Sequence, residues 1–405
     1  MQFSLQRWIR ISLFNLLLVA SIGVILRYKI AFALPFIDQK HLLHGHSHFA
    51  FAGWVTQALM VLLVSSLAVN AGVEILRKYN WILLANLVTA YGMLLSFPIQ
   101  GYGSFSILFS TLSVFVSYVF AVMYWVDLNR LQNKNIAKAW YKAALLFNVI
   151  SSLGVFALAT MMVTKTVHQN WYLVAEYFYL HFQYNGWFFF ACMGLLAEKL
   201  VLAGFTGSTL KMIFRLFVTA FIPAYFLSVL WMNLPVWIYV IIVLAAFAQV
   251  AGWAWLLRSL YHERHLLKVL SPVAQSLFKL SGIALSIKLL LQLGSVIPSL
   301  SDLSYGFRPI IIGYLHLVLL GIITIYILGH MVADKLISIS KITITGLVVF
   351  ISGIITNEIL LMVHGIASLN YNMIPFINEM LFGAAFVMFE GLVIINMSQQ
   401  NKVQK

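Results

Sequence analysis

Twelve stretches of roughly twenty mostly apolar residues, joined by short connections, constrain this chain more than any other feature. They lie at about 9–27, 43–69, 81–99, 105–126, 143–163, 171–196, 214–232, 235–257, 277–296, 309–329, 342–363 and 373–395. Each is long enough to cross a bilayer's hydrocarbon as a helix. Runs such as "IIVLAAFA" (240–247) and "LLLVASIGVIL" (16–26) lack the alternation that outer-membrane strands need. Only 9% of residues are charged and 62% are hydrophobic, against about 25% charged in a soluble chain. A soluble enzyme, a disordered chain and a disulfide scaffold are thereby excluded. The single cysteine, Cys192, excludes internal disulfides, thiolate metal clusters and covalent c-type haem attachment. The expected fold is all-α and polytopic, with about twelve transmembrane helices in one integral domain over 1–405, in contact with membrane lipid.

The basic residues set an expected orientation. One side comprises the N-terminus, every second connection and the C-terminus, and it holds 19 of the 25 Lys and Arg. Arg130, Lys134, Lys138 and Lys142 fall in one of its loops, and Arg258, Arg264 and Lys268 in another. The opposite side holds Arg27, Lys29, Lys40, Lys165 and Arg308, leaving Lys288 inside span 9. By the positive-inside rule both termini are cytoplasmic, and the protein belongs in the inner membrane. The net charge of +14 is then a topological signal, with no nucleic-acid partner implied. Ala31-Phe32-Ala33 loosely resembles a signal cleavage site, but the preceding apolar run is long enough to span, so an uncleaved first helix is expected.

Eight of eleven histidines fall on or toward the outer side: His41, His44, His46, His48, His168, His181, His316 and His364. Span 2 opens with "HLLHGHSHFAFAGW" (41–54), where His44 and His48 share a helical face, His41 is nearly in line and His46 points elsewhere. His48 lies about 8 Å into span 2 and His316, in "GYLHLVLLG" (313–321), about 10 Å into span 10. Imidazoles at matching depth on two helices suit a six-coordinate haem iron, which takes one axial ligand on each face. His181, in "YFYLHFQYNGWFFF" (177–190), lies about 15 Å into span 6. A single intramembrane histidine can instead hydrogen-bond across helices. Zinc or copper is chemically possible, yet the aromatic, apolar neighbours suit a porphyrin better. Glu176, Glu358, Glu379, Glu390 and Lys288 also lie within spans; a Lys288–Glu pair and a polar route for protons or solute are both open readings.

Twelve spans, both ends inside, and histidines in spans 2, 6 and 10 resemble subunit I of the haem-copper oxidase superfamily, which includes cbb-type oxidases and nitric oxide reductases. The segment 179–196 is similar to that family's sixth helix, with His181 at the place of the first copper-site histidine. "GYLHLVLLG" is similar to its tenth helix, and His316 matches the low-spin haem ligand. The resemblance implies His48 as the partner ligand from span 2, with His44 the alternative. Tyr314 stands where the high-spin haem's proximal histidine would be, and span 7 (214–232) has no histidine. One remaining histidine cannot hold the copper. Gln183 replaces a proton-relay Glu, and 364–372 lacks the arginines that meet haem propionates, a part that Arg308 or Lys165 could take. The resemblance thus implies the fold and one low-spin haem b, held by His48 and His316, with an electron-transfer role and no complete oxygen-reducing centre. A separate cytochrome c or other electron-donor subunit would serve it. The alternatives are a transporter-like or structural subunit on the same fold, or an unusual terminal oxidase or nitric oxide reductase around His181, Tyr184, Tyr314 and Glu358.

Overall fold

The computed structural model describes residues 4–72, 74–132, 135–232, 234–300 and 307–400. It is all-helical, with no strand among the described residues, and twelve of its helices are long and apolar enough to cross a membrane. The protein is an integral, multi-pass membrane protein. The helices are α1 (Leu5–Ala31), α2 (Gln39–Asn70), α3 (Glu74–Gln100), α4 (Ser104–Arg130), α5 (Ala137–Val163) and α6 (Gln169–Leu202). There follow α7 (Gly207–Val229), α8 (Val236–His262), α9 (Pro272–Gly294), α10 (Arg308–Ala333), α11 (Lys341–Leu369) and α12 (Ile377–Gln400).

Most helices run past the apolar stretches read from the sequence. Span 3 begins at Glu74, not near 81, and span 8 continues to His262, not 257. Apolar length reports only hydrocarbon thickness, whereas a helix continues while its backbone bonds are satisfied and its ends are capped. Several starts carry the cap that the exposed amides require. Ser4, Asp38 and Ser271 accept from the backbone N–H three residues on, and Ser340 closes a reciprocal box with Thr343.

Packing divides the chain into two compact units. The first contains α1 to α3, α4 as far as Phe120, the Phe307–His316 part of α10, and the chain from Ile327 through α12. The second runs from Ala121 through α9 and includes Leu317–Tyr326. In the first unit, α11 and α12 approach through glycines. A Cβ on Gly353 would stand 2.8 Å from the Met388 backbone nitrogen, and one on Gly391 would meet the Phe350 backbone. Lipid supplies no hydrophobic drive between helices, so such small residues matter by permitting close contact. In the second unit, Phe147 stacks on Phe221 at 3.9 Å, and Trp140 packs edge-on to Phe214 at 5.0 Å.

Three of the helices are interrupted by π-helical turns, at Ala50–Thr56 in α2, His181–Phe188 in α6 and Leu317–Thr324 in α10. The interruptions recur every fourth span, a periodicity the sequence does not display. A π turn widens the helix and frees backbone carbonyls, so it persists only where neighbours satisfy them. In α2 the Asn15 side chain of α1 donates to the Gly53 carbonyl at 2.5 Å. The Asn86 side chain of α3 donates to the Ala52 carbonyl at 3.0 Å and to Gln57 Oε1 at 2.8 Å. In α10 the Ser281 hydroxyl of α9 donates to the Ile322 carbonyl at 2.9 Å.

Candidate functional site

Each π turn begins at or just after a histidine that sequence reasoning singled out: two residues after His48, at His181, and one after His316. Such turns occur often at functional sites, where they re-aim side chains.

Asp38 starts α2 by accepting from the His41 amide at 2.8 Å. Four histidines follow within the first turns, and the 3.6-residue period distributes them over two faces. His48 stacks on Phe97 of α3 at 4.3 Å with rings 12° apart, its Nε2 3.5 Å from the Tyr102 hydroxyl. His44 meets Tyr102 edge-on at 4.7 Å. These two form an aromatic cluster on the α3 side. His46 takes the α1 side instead: its Cε1 stands 3.5 Å from where a Gly23 Cβ would be.

His316 has Arg27 and His46 within electrostatic range, whereas His48 has His44. Among the histidines of α2, His46 rather than His48 or His44 falls within electrostatic range of His316. Depth along a span matched His48 to His316, but depth does not fix which face of the helix a side chain takes. His46 Nδ1, His316 Nδ1 and His44 Nε2 are buried with no hydrogen-bond partner. Buried polar atoms are usually paired, so three orphaned imidazole nitrogens at the head of two helices call for an explanation.

Arg27 lies within electrostatic range of both His46 and His316. Arg27, in the last turns of α1, shares electrostatic range with Arg308, Glu358 and His364 as well as His316. No ion pair joins Arg27 or Arg308 to a carboxylate among the described residues. Glu358 takes a hydrogen bond from its neighbour Asn357 at 3.1 Å. No residue of Arg308–His316 is fully buried, whereas every residue from Gly321 to Val332 is. Tyr314, two residues before His316, stands on a different face of α10 and is half-buried.

Sequence reasoning missed His46 and Arg27. Arg27 entered only as a charge in the topology count. A signal existed: Gly23 and Arg27 are four apart, so a gap for a ring and a guanidinium share one face of α1.

His181 belongs to the second unit and is differently placed. It is 2% exposed, its Nε2 lies 3.0 Å from the Phe221 carbonyl and its Nδ1 3.3 Å from Asn185 Nδ2. Phe221 stacks on the ring at 4.6 Å. Both nitrogens are thus engaged within the protein. Gln183 donates to Asn148 Oδ1 at 3.0 Å and to Ser151 Oγ at 2.7 Å, locking α6 to α5. Among the described residues no three His, Cys, Asp or Glu side chains gather to hold a metal ion. Lys288, 5% exposed, has Gln292 as its partner, and no Lys288–Glu pair is formed among the described residues.

Comparison with protein-family models and with curated proteins returned no match.

Proposed function

We propose that this protein is a membrane haem b protein of the haem-copper oxidase subunit I type, with an electron-transfer role. One six-coordinate, low-spin haem would lie between His316 of α10 and a histidine of α2. Haem b supplies reversible one-electron transfer when bound. The observation that carries the reading is that His46 and Arg27 both fall within electrostatic range of His316, that His46 and His316 each keep an orphaned ring nitrogen, and that neither Arg27 nor Arg308 forms an ion pair among the described residues. Neutral imidazole is a good iron ligand, and Arg27 and Arg308 suit carboxylates such as haem propionates, for which arginine is well shaped. His46 is the ligand this arrangement favours, with His48 and then His44 behind it.

Both ring nitrogens of His181 are already bonded, and among the described residues no three metal-ligating side chains gather, so nothing there supports a second metal. The reading therefore stops at electron transfer, with a separate cytochrome c or other donor subunit as the partner. A transporter-like or structural role without redox cofactor is the second reading, favoured by the buried amine of Lys288.

Reduced-minus-oxidised spectroscopy of protein purified from haem-replete membranes separates the two. A haem b signal is expected from the wild type and none from His316→Ala or His46→Ala. Wild-type protein carrying no haem would sink the first reading. A signal lost in His48→Ala but kept in His46→Ala would move the ligand back to His48.

A further inference from the structure

The second unit has a small, partly open cavity between α6, α7, α8, α9 and α10, with a volume of about 20 Å³. A water needs roughly 10–15 Å³ on that measure, so the space holds one small species. Its wall is mostly apolar, formed by residues such as Phe190, Phe221 and Ile322. Lys288 and Gln249 are its principal polar exceptions, together with Tyr184 and Asn185.

The hydrogen bonds of this wall have a direction fixed by chemistry. An ammonium can only donate, so Lys288 Nζ donates to Gln292 Oε1. Gln292 must then turn its amide nitrogen outward, and it donates to Gln249 Oε1 at 2.7 Å. Gln249 is left with its own amide N–H groups, and Lys288 with two further N–H donors. The relay therefore offers the cavity donors from both ends, while the wall's other polar side chains, Tyr184 and Asn185, carry no charge. No carboxylate among the described residues balances the Lys288 charge. A charge in a dry interior is retained only when paired.

We propose that this cavity binds a small monovalent inorganic anion, of the size of chloride or bromide, with Lys288 as counter-ion and Gln249 as second donor. The site is independent of the haem reading, since every residue it uses lies in the second unit.

Purified full-length protein is unfolded thermally in sodium gluconate, an anion too large for the cavity. Gluconate is then replaced by chloride or bromide at constant ionic strength. The melting temperature is expected to rise saturably with the small anions, as for any ligand that binds only the folded state. Lys288→Met should lower the apparent affinity by at least about tenfold, or abolish the rise. Equal melting in gluconate and chloride would overturn the proposal, leaving a neutral amine or a water in the cavity. So would a rise that survives Lys288→Met. Should that variant fail to fold, crystals of the wild type grown in bromide decide. Anomalous density within hydrogen-bond reach of Lys288 Nζ supports the site, and its absence there refutes it.

Discussion

His46 and His48 are two residues apart, yet the helical period sends them to opposite neighbours: His48 to Phe97 and Tyr102, His46 to Gly23 and the region of Arg27. His48→Ala should therefore leave the proposed haem in place while removing a stacked ring, visible as a modest fall in thermal stability with an unchanged absorption band. Asp38 carries a second prediction at this scale. The hydrogen bond from the His41 amide holds its carboxyl below the ordinary value of 3.8. A depressed folded value means the cap's contribution is present above about pH 3.8 and lost as pH falls through the lower folded value. Amide exchange at His41 is expected to speed up in that acid range, and Asp38→Ala to show the fast exchange at neutral pH.

The elements themselves were largely legible, because hydropathy is a local property and twelve apolar runs can satisfy their backbones in lipid only as helices. Their interruptions were not. The π turns of α2, α6 and α10 depend on side chains from other helices, and nothing within "AFAGWVT" or "LVLLGIIT" announces them. Asn15, Asn86 and Ser281 lie in otherwise apolar spans, and their role emerges only through the carbonyls they meet. Asn15→Ala should destabilise the protein by roughly 0.6–1.7 kcal/mol, the range for interhelical hydrogen bonds in membranes. The Gly53 carbonyl would lose its donor, and faster local exchange in α2 would report it. Unchanged stability and exchange would show that the π turn holds without the cross-helix bond.

At the scale of the whole molecule, charge asymmetry makes a prediction that packing does not touch. With 19 of 25 basic residues on the side of the termini, a fluorescent protein fused at the C-terminus should mature in the cytoplasm. Alkaline phosphatase inserted between α11 and α12 should be active outside. The reverse pattern would invert the orientation and move the His46–His316 cluster to the inner face. Two kinds of information thus separate cleanly. Sequence alone determined the class of solvent, the number of helices, and the gathering of histidines at the starts of spans 2 and 10, because these follow from composition and depth. Tertiary structure decided which histidine of α2 comes within electrostatic range of His316, that Arg27 does so too, that both nitrogens of His181 are bonded, and that Lys288 lines a cavity with no carboxylate in its wall. Each of these depends on the rotation of one helix against another, set by glycine gaps and interhelical hydrogen bonds from residues distant in the chain.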